Sequence, residues 1–187
     1  MIMKQQQRKK QPAHVKELLL EAAGAIAAAR GVEAITLEGV ARDAGVSKGG
    51  LLHHFPSRRA LIEAACGALL AQWDEGIARL MATDPVAEGR FSRAYIRSVL
   101  ADAEDVSNIR LVGAFIMAMA TDADLRMQWV LWLEKYLACE GGDEKSVKRY
   151  LARAGADGVW LADYAGAPVP EGALRQEMVR GLLDMTL

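Results

Sequence analysis

Leu37-Glu-Gly-Val40-Ala41-Arg-Asp-Ala44-Gly45-Val46-Ser47-Lys-Gly-Gly-Leu51-Leu52 has the spacing of two short helices crossed over a tight turn. Ala41 is small where the helices would cross, and Gly45 can take the left-handed conformation of the turn. Val40, Ala44, Val46 and Leu51 point into a shared core, and together these positions fix the angle between the helices. At that angle the second helix can enter a DNA major groove while the first spans the backbone, so the polar residues at its start reach base edges and phosphates. Thr36 and Ser47 stand where the N-caps of the two helices belong.

Outward from this motif the chain reads as all-α, with Ala, Leu, Glu, Arg and Met abundant and no sustained period-two alternation. Val15, Leu18, Leu19, Ala22, Ile26 and Ala27 recur at spacings of three and four, predicting a helix from His14 to Arg30 that Gly31 stops. A fourth helix from Ser57 to Met81 is long enough to bridge from a small domain into a larger one. Further helices are predicted over 87–103, 106–120, 124–138, 144–165 and 171–185, with the clearest breaks at Gly141-Gly142-Asp143 and Gly166 to Pro170. Residues 1–12 are polar and basic and lack the apolar content to order themselves, predicting a disordered arm. Residues 13–60 then form a helix-turn-helix DNA-binding domain, and 61–187 a larger helical domain for effector binding and dimerisation.

Charge divides along the same line. Of 23 Lys and Arg and 24 Asp and Glu, ten and five fall in residues 1–60, leaving 13 and 19 for the rest. Phosphate attraction is useful only where DNA docks, so a basic small domain on an acidic larger one suits a nucleic-acid reader joined to a sensing or pairing domain. Cys66 and Cys139 lie far apart without C-x-x-C or Cys/His spacing, which points to neither a disulfide framework nor a zinc site. No apolar stretch is long enough to span a bilayer, and the basic start has no apolar signal core behind it, so a cytoplasmic protein without a membrane partner is expected.

The sequence resembles the tetracycline-repressor (TetR) family. The resemblance runs from His14 to Leu61, through Leu19-Leu-Glu-Ala-Ala23, Arg30-Gly31, Thr36, Val40-Ala-Arg-Asp-Ala-Gly-Val-Ser47 and His54-Phe55-Pro-Ser-Arg-Arg-Ala-Leu61. A weaker match lies at Ala156-Asp157-Gly158-Val-Trp160-Leu161. The resemblance implies a phosphate contact at Thr36 and a base-facing start of the recognition helix at Ser47, Lys48 and Gly49, with Lys48 foremost. It implies that Gly50, Leu52, His53 and His54 approach bases or phosphates, and that Arg58 grips the backbone. Many members carry Tyr where this chain has Leu52 and a hydroxyl residue where it has Gly50, so two phosphate hydrogen bonds are missing. Backbone N–H groups, Arg58, Arg59 and the basic arm are expected to supply affinity instead. His53 and His54 do not make a metal pair, because adjacent helical residues point about 100° apart and no third ligand accompanies them.

In the larger domain Trp129, Trp132, Leu133 and Tyr136 form an aromatic stripe on one predicted helix, with Phe115, Met117 and Met119 on the preceding one. The family resemblance implies an inducer pocket here, and Met with flat aromatic walls suits a small hydrophobic or aromatic effector, although any one of these side chains is more often plain core. Trp160 and Tyr164 serve either the pocket or a dimer partner. The family pairs its last two long helices across a twofold axis, which assigns Val159, Leu174, Met178, Leu182 and Met185 to a homodimer interface; the same stripe could instead cover its own domain.

The expected function is a repressor released from a palindromic operator in double-stranded DNA by a small-molecule effector, with the fourth helix as lever. No nucleophile elbow, phosphate-binding Gly-rich loop or clustered metal ligands speak for an enzyme, and no cofactor is expected. The alternative is a ligand-binding dimer whose DNA reader has degraded, which Gly50 and Leu52 leave open.

Overall fold

The computed structural model describes residues 2–101, 106–138, 140 and 144–187, with only the backbone described at 2–11, 106, 144 and 145. Among the described residues there are nine α-helices, one 3-10 turn and no strand. In chain order they are α1 (Ile2–Arg30), the 3-10 turn η1 (Val32–Ala34), α2 (Leu37–Asp43), α3 (Lys48–His54) and α4 (Arg58–Thr83). There follow α5 (Arg90–Ala101), α6 (Val106–Thr121), α7 (Ala123–Leu137), α8 (Glu144–Ala165) and α9 (Gly172–Asp184). The all-α prediction holds, and α8 occupies the predicted span. Cys139 and the break predicted at Gly141, Gly142 and Asp143 lie outside the described residues.

The sequence predicts a disordered arm over 1–12, but α1 begins at Ile2 and passes through Pro12. Gln, Lys and Arg are good helix formers, and extending an existing helix is far easier than nucleating a new one.

By compactness the chain divides into two units, Met1–Leu69 with Arg110–Leu125, and Leu70–Ile109 with Arg126–Leu187. The division differs from the predicted boundary near residue 60, and part of α6 joins the first unit. Within that unit α1 packs on η1 and α2, and α2 on α3. Its core holds Leu19, Ala23, Ile26 and Ala27 of α1 with Val32, Ile35, Val40, Leu51 and Phe55. Leu111 of α6 lies 3.6 Å from the place where Gly24 would carry a side chain, an ordinary van der Waals distance that sets α6 beside α1. Cys66 is also buried here. Burial pushes its thiol up to about 11, an inert core position rather than a reactive one.

In the second unit α5 packs on α8 and α9, and α8 on α9. Phe91 to Ile96, Val99 and Leu100 are buried. Two of these are polar, and each is matched. Arg93 donates to Asp84 through Nε at 2.7 Å and Nη2 at 3.1 Å, and to the Val86 carbonyl at 2.6 Å. The Ser92 N–H and hydroxyl donate to Glu140, which also receives Arg153. Arg149, almost fully buried, donates to Glu88 at 2.6 Å and to the Glu140 carbonyl at 3.0 Å. Buried charges are tolerated only with such partners, so this network fixes how α5 and α8 meet.

Candidate nucleic-acid interface

Both short helices are capped by the residues predicted to cap them. Thr36 Oγ1 accepts the Gly39 N–H at 3.0 Å, and Ser47 Oγ accepts the Gly50 N–H at 3.1 Å. Between the helices Gly45 stands at φ +66°, where L side chains are strained. Its N–H donates to the Arg42 carbonyl, and the Val46 N–H reaches back to the Ala41 carbonyl. These are the two bonds of a Schellman closure, which ends α2 and turns the chain into α3 within three residues. Leu51 and Val40 are fully buried and anchor the two helices.

Fixing Leu51 inward leaves Lys48, Gly49, Leu52 and His53 on the exposed face of α3, with Thr36 and Ser47 also exposed. Gly50 is half-buried; a Cβ there would meet Val46 at 3.0 Å and Ser47 Oγ at 3.3 Å. A side chain at position 50 must therefore press on the turn, whereas Gly49 looks into open space. His54 is half-buried and meets His53 edge to face, with ring centroids 5.4 Å apart. Among the described residues no group of three or more His, Cys, Asp or Glu is placed to hold a metal ion.

The cations of the motif have partners within the chain. Lys48 Nζ donates to Glu38 Oε1 of α2 at 2.6 Å, and the Lys48 bond holds the Glu38 carboxyl below its ordinary range. Arg58, expected on the DNA backbone, donates to the carbonyls of Ile35, Val32 and Glu33 around η1. Arg59 donates to Glu63, to both oxygens of Asp122 and to Asp124. Asp122 in turn accepts the backbone N–H groups of Asp124 and Leu125 at the start of α7. Surrounded by carboxylates, Arg59 has little positive potential left for phosphates. Sequence reading missed Glu38, because a carboxylate ten residues from a Lys shows no pairing until α2 and α3 are crossed.

The residues expected to line one pocket are distributed between the two units. Phe115, Met117 and Met119 belong to the first, where Phe115 and Met119 are buried and Met117 is exposed. In the second, Trp129, Trp132 and Tyr136 stay together and are joined by Trp73 of α4 and Phe91 of α5, neither of which was predicted. Trp129 stacks on Trp132 at 5.1 Å, Trp73 meets Trp129 edge-on at 5.6 Å, and Phe91 stacks on Tyr136 at 4.6 Å. Asp74 accepts the Tyr136 hydroxyl at 2.6 Å and Lys135 at 2.7 Å, and the Lys135 bond first, then Tyr136, lowers its titration. Trp160 is buried and stacks on Tyr164. The indole Nε1 atoms of Trp73 and Trp160 are buried without a hydrogen-bond partner among the described residues.

Of the predicted pairing residues, Leu174 is exposed, while Val159, Met178, Leu182 and Met185 are half-buried. Leu182 turns toward α8, reaching 2.8 Å from the place of an absent Gly155 Cβ. The exposed apolar face of α8, carrying Val147, Tyr150, Leu151 and Leu161, was not predicted.

No described helix is long and apolar enough to cross a membrane. Residues 89–187 match the family described as tetracyclin repressor-like, C-terminal domain, and residues 19–65 match the bacterial regulatory proteins of the tetR family. Among solved structures, a TetR-family member from Streptomyces coelicolor A3 is 22% identical with a TM-score of 0.66, covering 92% of this chain and 98% of that one. Salmonella enterica GusR is 18% identical with a TM-score of 0.68, covering 92% and 95%. The multidrug binding protein EbrR, solved with malachite green, is 20% identical with a TM-score of 0.67, covering 92% and 98%. At such identities the likeness is one of fold. No curated protein matches the chain.

Proposed function

The chain belongs to the tetracycline-repressor family of bacterial transcriptional regulators, and on that premise we propose that it is a homodimeric, cytoplasmic repressor of a palindromic operator, released by a small hydrophobic or aromatic effector. The observation that carries the DNA reading is the Schellman turn at Gly45, which presents Lys48, Gly49, Leu52 and His53 on one solvent face beside the exposed caps Thr36 and Ser47. A helix with its N-terminal residues so displayed can lie in a major groove. No catalytic step is assigned to it.

The effector reading draws on the Trp73, Phe91, Trp129, Trp132 and Tyr136 cluster, whose ring faces suit a flat apolar molecule. EbrR, of like fold, was solved with malachite green, an aromatic dye. A ligand acceptor near Trp73 Nε1 would also supply the hydrogen bond that this buried indole lacks. Release from DNA requires the effector to bind the non-binding conformer more tightly, since equal affinity for both shifts nothing.

The test is enrichment of duplexes from a randomised pool by the purified protein and by Lys48→Ala. An enriched palindrome that the variant fails to enrich is expected. No enrichment by a folded protein that still binds flat aromatic dyes would overturn the reader and leave the ligand-binding dimer with a degraded reader, the alternative that exposed Leu52 and the hydroxyl-free Gly50 favour.

A further inference from the structure

We propose that Glu38 is a specificity-determining residue of the DNA reader, neutralising Lys48 toward phosphates while leaving it able to donate to a base edge. The inference rests on the DNA-binding reading above. Residues 37–54 carry two permanent cations, Arg42 and Lys48, and two permanent anions, Glu38 and Asp43. Each cation donates to an anion, Lys48 to Glu38 at 2.6 Å and Arg42 Nε to Asp43 at 2.9 Å. The surplus of positive charge in residues 1–60 therefore lies outside the reading helices.

The two pairs are not equivalent. Arg42 and Asp43 are chain neighbours on α2, whereas the Glu38 bond crosses from α2 to α3 and sets where the Lys48 ammonium sits. All four side chains are largely exposed, so burial does not force either pairing. An ammonium has three donors and Glu38 engages one, so Lys48 keeps donors for the O6 and N7 acceptors of a guanine. A phosphate approaching the same point meets a neutral pair with a carboxylate attached, and attraction that depends on net charge is largely cancelled. Non-specific binding is built almost wholly on that attraction, and base recognition is not. Suppressing the first while retaining the second raises discrimination.

The experiment compares wild type, Glu38→Gln, Asp43→Asn and the double variant Glu38→Gln/Lys48→Ala on two probes across a salt series. The probes are the duplex enriched by the wild-type protein and a mixed-sequence duplex of equal length; circular dichroism confirms that each variant is folded. For Glu38→Gln, binding to mixed DNA should tighten about tenfold and its log–log salt slope steepen by about 0.9, one additional phosphate contact. Affinity for the enriched duplex should rise less, so that discrimination falls about fivefold, and removing Lys48 should abolish the gain. Equal tightening on both probes, no change on either, a looser complex, or the same effect from Asp43→Asn would overturn the role of Glu38. A wild-type protein that enriches no sequence would instead overturn the reader itself, and this inference with it.

Discussion

Arg58 Nε donates to the Ile35 carbonyl at 2.6 Å, and Nη2 of the same side chain reaches the Val32 and Glu33 carbonyls at 3.2 Å. The guanidinium thus closes the C-terminal end of η1, reaching the carbonyls of Glu33 and Ile35 and adding to the Ile35 N–H bond on Val32, one residue before the Thr36 cap of α2. A side chain at the first position of α4 thereby sets where the first helix of the motif begins.

Replacing Arg58 with Ala should consequently destabilise the protein by about 2 kcal/mol, the order of hydrogen bonds made by a charged donor. Arg58→Lys should recover only part of this, because an ammonium cannot fork across three carbonyls. Once DNA binding is corrected for the folded fraction, the salt slope should equal that of wild type. A slope shallower by about one would show that Arg58 leaves η1 to meet a phosphate.

Much of this architecture was legible in sequence because it rests on local chemistry. Thr36, Gly45 and Ser47 announce a cap, a turn and a second cap, and Leu51 tells which face of α3 is inward. The partners of charges were not legible, since Arg59 finds Asp122 and Asp124 more than sixty residues away and Lys48 finds Glu38 across a turn. Lys48 was therefore assigned to bases and Arg58 and Arg59 to phosphates with no sign that each also holds an acceptor within the chain. Periodicity likewise identified the stripe Trp129, Trp132 and Tyr136 but not Trp73 and Phe91, each isolated among residues of another helix. On α8, helical spacing alone could not separate the face turned to α5 from the face turned to solvent.

Two glycines four residues apart should respond with opposite sign. Gly45 at φ +66° can be replaced by Ala only with left-handed strain, and Gly45→Ala should lower stability by about 1–2 kcal/mol. Gly49 is helical, exposed and faces open space, so Gly49→Ala should raise stability by up to about 1 kcal/mol. Urea unfolding at one protein concentration measures both. A stabilising Gly45→Ala would contradict the turn geometry described above.

Asp84 gives the fold a pH dependence. Arg93 beside it holds its carboxyl below the ordinary range, and both side chains are only 5% exposed. Because the folded-state value is depressed, the pair's contribution is fully present above the ordinary carboxylate pKa of about 3.9 and is lost as pH falls through the lower folded value. Asp84→Asn leaves Arg93 buried without its counter-charge, and should lose about 3–5 kcal/mol at neutral pH. Thermal unfolding followed from pH 7 to pH 3 should show the gap between wild type and variant narrowing below about pH 4. A gap that stays constant across that range would mean that Asp84 acts through its shape and not its charge.

The exposed face of α8 makes the most direct prediction about assembly. Val147, Tyr150, Leu151 and Leu161 lie along one side of the helix, and Gly158 on the same side has open space where a side chain would stand. Leu174 of α9 is exposed as well. Rows of apolar side chains flanking a glycine let two helices approach closely, and exposure of several large apolar residues on one face is unfavourable in water. Leu151→Glu should therefore turn a dimer into a monomer in sedimentation while leaving helical circular dichroism unchanged, because the position is half exposed and a Glu fits the helix. The monomer should bind one half-site weakly and lose the gain that a palindrome gives two linked readers, a loss of about a hundredfold or more. Leu131→Glu on the exposed side of α7 supplies the control and should stay dimeric. If Leu151→Glu sediments like wild type, α8 does not pair with its symmetry mate, and the proposed dimer must form through another contact.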